Sequence, residues 1–135
     1  MRKLAIVFGL FVLACSVLTA QDMISMHASI PFEFRMGDRL IPSGVYLIQI
    51  SDGSVILREE GGRLVSASLM TLPESRTTQP DRGELVFNRF GSEYFLASVW
   101  TPFSRQGRVL MKSKREKDLL AQSHTAVETA SVISK

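Results

Sequence analysis

Serines and carboxylates are plentiful in this 135-residue chain, but histidine and cysteine are scarce and the spacing assembles no reactive set. The two histidines, His27 and His124, are far apart. Neither stands in His-x-Glu, in His-x-x-x-His or beside a cysteine pair, the spacings that bring ligands onto one metal ion. No serine lies in Gly-x-Ser-x-Gly, or in Ser-x-x-Lys with a partner histidine, so an activated hydroxyl nucleophile has no local support. A wall or glycan hydrolase would have to gather carboxylates from Glu33, Asp38, Glu84 or Glu93, which are scattered singly. Glu59 and Glu60 are adjacent and would face opposite ways on a strand, a poor acid–base pair. Gly61-Gly62 precedes neither a helix nor Gly-Lys-Ser/Thr, so it reads as a turn and not as a phosphate cradle. The expectation is a non-enzyme with no catalytic residue, no metal and no cofactor.

Two groups could bind rather than react. Tyr94, Phe95, Trp100 and Phe103, with Arg89 and Arg105 close by in sequence, could form an aromatic platform for a sugar or peptide. The plainer account is that aromatics alternating on a strand are core. Arg105, Arg108, Lys112, Lys114, Arg115 and Lys117 form a basic segment that could meet anionic lipid, although Glu116 and Asp118 offset it and such a run also serves as a solvated face.

The first twenty residues have their own logic. A basic Met1-Arg2-Lys3, an apolar run from Leu4 to Ala14 and a small Ala20 before polar Gln21-Asp22 read as a secretory signal peptide. Export to the periplasm or outside the cell follows as an expectation. Cys15, the sole cysteine, follows Val12-Leu13-Ala14, a context that loosely resembles the lipobox of bacterial lipoproteins. Lipidation there would anchor the chain to the outer membrane. Cleavage after Ala20 leaves 135 − 20 = 115 residues without cysteine, so stability must come from an apolar core rather than from disulfides. Losing Arg2 and Lys3 reduces the net charge from +3 to 14 − 13 = +1, which gives no electrostatic case for nucleic acid. The expected partner is an unidentified protein or envelope component, or a membrane reached through Cys15 or the basic segment.

The elements that would position these groups are strands. From Ile24 to Met36 apolar and polar residues alternate, the period of a strand with one buried face, and Pro31 places that strand at an edge or bulge. Pro42-Ser43-Gly44 turns the chain into apolar Val45–Ile50, and Asp52-Gly53 closes a hairpin that pairs Ile50 with Val55 and Ile48 with Leu57. After Gly61-Gly62 a strict two-residue loop sets Ser66 opposite Leu57, whereas a one-residue slip turns Val65 and Ala67 to the core. Leu72 to Gly83 reads as one long loop. A Gly91-Ser92 turn then pairs Phe87 with Leu96, Val86 with Ala97 and Arg89 with Tyr94, in a hairpin apolar on both faces. Ser113 to Glu116 matches a capping box for a short helix.

Three stretches carry a resemblance: Ile30-Pro31-Phe32-Glu33-Phe34 with Gly37-Asp38, then Pro42-Ser43-Gly44-Val45-Tyr46, then Leu85 to Leu96. In these the chain resembles small exported β-rich proteins of acidobacterial-type Gram-negative bacteria, of unassigned role. The Pro-x-Gly-x-Tyr element is also similar to one in β-sandwich modules of the transthyretin-like and carboxypeptidase-regulatory type. The resemblance implies an address and a fold, and carries over no catalytic residue.

The expected fold is all-β, a single antiparallel sandwich or small open barrel of about seven strands with a short C-terminal helix. The expected layout is a signal peptide over 1–20, a β domain over 21–112, a helix over 113–123 and a flexible tail over 124–135.

Overall fold

The computed structural model describes residues 23–123 and 127–134; the expected signal peptide, Cys15 and His124 lie outside them. Along the chain come β1 (Ile24–Ile30), β2 (Phe34–Met36), β3 (Arg39–Ile41), β4 (Gly44–Ser51), β5 (Ser54–Glu59) and β6 (Leu64–Ser68). Then follow β7 (Thr71–Ser75), β8 (Glu84–Phe90), β9 (Glu93–Trp100), β10 (Gln106–Leu110), helix α1 (Lys114–Gln122) and β11 (Glu128–Ile133).

The strands form two sheets and no closed barrel. One sheet is β1-β4-β5-β6; the other is β11-β8-β9-β10-β7, with the β2–β3 hairpin joined to β9 through a parallel bridge between Arg35 and Phe95. Between the sheets lies one apolar cluster that includes Ile30, Phe34, Ile48, Leu57, Leu85, Phe87 and Val99. Each large side chain taken fully from water there stabilises the fold by about 1.5–3 kcal/mol.

The alternation over 24–36 does not make one strand. Pro31 has no N–H to give a ladder, and the chain leaves the first sheet after Ile30 and enters the second at Phe34. The inward side survives the crossing because both sheets face the same core: Met26, Ala28, Ile30, Phe34 and Met36 are all buried. As the proline implies, β1 is an edge strand.

The β4–β5 hairpin has the expected register, Ile50 with Val55 and Ile48 with Leu57. Asp52 and Gly53 both have positive φ, 44° and 80°, the turn whose twist matches that of the flanking strands. On the outward face the Arg58 Nε donates to the Gln49 Oε1 at 2.9 Å.

Both registers weighed after Gly61-Gly62 contribute. Ser66 lies opposite Leu57, as the strict loop requires, and a bulge then sets Leu64 opposite Arg58. The extra residue, Val65, packs against the core that a regular ladder would have denied it. A second bulge alters the β8–β9 hairpin. Phe87 pairs with Leu96 and Arg89 with Tyr94 as expected, but Val86 meets Ser98 instead of Ala97. With Ala97 as the extra residue, Leu96 and Val99 both join the core across an interval that strict alternation would have split between faces.

Two expected irregular segments contain strands. Overlapping the start of Leu72–Gly83, Thr71–Ser75 pairs with β10 as the outermost strand of its sheet, a position that tolerates Pro73. Within 124–135, expected to be a flexible tail, Glu128–Ile133 pairs with β8 along its whole length. Its Ala130 and Val132 pack on the core, and the Ser134 N–H donates to the Gly83 carbonyl at 2.8 Å. The helix starts as expected, with the Glu116 N–H donating to the Ser113 Oγ at 3.2 Å.

Candidate functional site

The aromatic group expected to form a platform is divided between the two ends and the two faces of β9. Tyr94 stacks on Phe32 with ring centroids 3.9 Å apart and packs against the core, with the Arg89 guanidinium 5.5 Å from its ring. Arg89 also faces Glu128 at 3.7 Å, joining β8 to β11. Phe95 is buried and meets Phe90 edge-on at 5.7 Å, so it too is a packing residue.

Trp100, six residues further along β9 and so about 20 Å away, is buried outside the central cluster. Its Nε1 donates to the Ser98 Oγ at 3.0 Å, and the Arg76 guanidinium lies 3.7 Å from its ring centroid. Arg76 in turn donates to the Glu84 carboxylate at 2.6 Å. Phe103 is 70% exposed on the loop after β9, and Arg105 is exposed with its carbonyl accepting from the Arg76 N–H. The five residues Arg89, Tyr94, Trp100, Phe103 and Arg105 therefore do not share one surface.

Nor does the basic segment act as one patch. Arg108 is held within its own sheet, where its Nε donates to the Thr71 Oγ1 of β7 at 2.9 Å, and Arg115 pairs with Glu93. Lys112, Lys114 and Lys117 are exposed.

The carboxylates that a hydrolase would need are distributed over three places. Glu33 and Glu93 line one cleft, Asp38 lines another beside Lys114 and Asp118, and Glu84 is held by Arg76 near the far end of the sheet. Glu93 is already engaged by Arg115, whose Nε donates to it at 3.0 Å. Among the described residues no three of His, Cys, Asp and Glu converge where a metal ion could sit, and no helix is long and apolar enough to cross a membrane.

A different surface stands out, one that sequence reasoning passed over. Leu69 and Met70, in the corner between β6 and β7, are 77% and 75% exposed, with Leu72 at 58% and Met111 at 57%. The β7–β10 register, ending at Thr71 with Leu110, sets Met70 next to Met111 if carried one residue on. The available signal was the run Leu64–Leu72, nine residues with no charge. It follows directly from β6, which among the described strands has a neighbour on one side only.

No family model, curated protein or solved structure matches this chain.

Proposed function

We propose that the protein is an exported, non-enzymatic binding module of the bacterial envelope that captures an extended segment of a partner protein along β6. One observation carries this reading: β6 is an unpaired sheet edge without proline or charge, continuous with the exposed Leu69 and Met70. Sheet edges in water are normally blunted by proline, charge or cover, because a bare edge templates pairing with another chain. The edge strand β7 carries Pro73 and Glu74, β1 runs into Pro31, and β11 begins at Glu128. In β6 the bulge at Val65 interrupts the Leu64 end and leaves Ser66–Ser68 in regular register. A partner strand would gain main-chain hydrogen bonds there and an apolar seat at Leu69 and Met70. Export is supported by the signal-peptide pattern of Met1–Ala20.

The test is proline at Ser66 and, separately, at Ala67. Alternate residues of an edge strand turn their N–H outward, so one of the two leaves the pairing with β5 intact. The substitution that spares the melting temperature should abolish recovery of the partner from an envelope fraction. Recovery unchanged with both would reject the proposal.

A further inference from the structure

Where β2 diverges from β9 beyond the Arg35–Phe95 bridge, the second sheet opens into a cleft of about 260 Å³. Glu33, Arg35, Leu40, Ser92, Glu93 and Tyr94 line it. That volume falls a little below the range of about 300–1,000 Å³ that takes drug-sized ligands, so it suits a small metabolite.

The charges in the cleft are of both signs and do not neutralise one another. Arg35 is half-buried, and its guanidinium makes no hydrogen bond or ion pair among the described residues. Glu33, two residues earlier, is exposed and equally unpaired among them. The third charge, Glu93, is taken up by Arg115 from the helix. A half-buried guanidinium gives up part of its hydration, and its planar fork best recovers that loss by gripping a carboxylate. Here a carboxylate and a guanidinium line one concavity without reaching each other, as expected if something between them carries the complementary pair.

We propose that this cleft binds a small zwitterion, an α-amino acid or the termini of a very short peptide. Arg35 takes the ligand's carboxylate in a two-pronged hydrogen bond, and Glu33 takes its ammonium group. Ser92 and the Tyr94 hydroxyl supply the remaining polar contacts, and Leu40 borders the side chain. The site is built on the second sheet and uses no residue of β6, so it stands independently of strand capture.

The test is a titration of the ¹⁵N-labelled protein with alanine and with dialanine, followed by amide shifts, with acetate and methylammonium as single-charge controls. Saturable shifts at Arg35 and Ser92–Tyr94, at millimolar ligand, are expected with at least one zwitterion. Saturation by alanine identifies a free amino acid, and saturation by dialanine alone identifies peptide ends; either supports the assignment. Arg35→Gln and Glu33→Gln should each weaken binding about tenfold or more, as loss of a hydrogen bond to a charged group does. Both change partly solvated side chains, so an unaltered amide spectrum away from the cleft certifies the fold. No saturable shift with either zwitterion overturns the proposal, as does acetate binding as tightly as alanine or unchanged affinity in both variants.

Discussion

Gly107 lies against the Trp100 indole with no room for a methyl group: a β-carbon there would stand 2.5 Å from Cε3 and 2.9 Å from the Val99 carbonyl oxygen. The Arg76 guanidinium covers the same ring. Backbone on one strand and a cation from the preceding connection thus hold one aromatic side chain. Gly107→Ala must displace the indole or part β10 from β9, and overpacking of this kind costs about 1–3 kcal/mol. Thermal unfolding should show a lower midpoint, with tryptophan emission shifted toward that of solvated indole. An unchanged midpoint would mean that the ring moves freely.

A second prediction concerns the corner before β4. The Tyr46 hydroxyl donates to the Pro42 carbonyl, and a β-carbon placed at Gly44 would stand 3.5 Å from the ring, in ordinary contact. The proline turn and the phenol four residues on are thereby tied into one unit. Tyr46→Phe should cost about 1 kcal/mol at neutral pH. Burial, and then the charge of Glu59, raise the Tyr46 pKa above its ordinary 10.0. The folded state therefore holds this proton more tightly than the unfolded chain. Stability from this group is intact below about pH 10 and falls as pH rises beyond it. Denaturant midpoints measured on either side of that value should diverge in the native protein and diverge less in Tyr46→Phe.

Glu84 should govern the acid limb. Burial alone would raise its pKa, but the hydrogen bonds from Arg76 and Ser131 and the charge of Arg76 outweigh it, and the net shift is downward from 4.5. A depressed folded pKa means stability that is present above the unfolded value and lost as pH falls through the folded one. Glu84→Gln should weaken the fold by about 1 kcal/mol at neutral pH and flatten the decline in melting temperature below about pH 4.5. Equal slopes for the two proteins would show that the Arg76–Glu84 contact contributes nothing to folding.

What could be read from residue order was local. The β4–β5 register was legible because Asp52-Gly53 dictates a two-residue turn and the apolar period on each side agrees with it. The serine cap of the helix was legible for the same reason. The bulges at Val65 and Ala97 were not, since each is chosen by what the opposite sheet presents and not by its own segment. Pro73 disguised β7 as loop, because proline excludes a central strand yet is harmless at the rim. β11 was obscured by its plain Thr-Ala-Ser-Val composition, which becomes a strand only against the waiting flank of β8.

The candidate site suffered most from this limit. Tyr94 and Trp100 looked like neighbours because both are aromatic and close in sequence, but the bulge between them turns one inward and the other outward. Arg76, which covers Trp100 and holds Glu84, lay in a stretch without periodicity and so had no signal of its own. Arg35 and Glu93 meet in one cleft only because β2 crosses between sheets at Pro31 and comes to lie parallel to β9.

That β8 receives its outer neighbour from a strand so much later in the chain has a temporal meaning. Leu85 and Phe87 occupy the middle of the molecule, yet the strand that seals their flank is made some forty positions later. In order of synthesis the second layer therefore stays open at β8 until Glu128–Ile133 has been made.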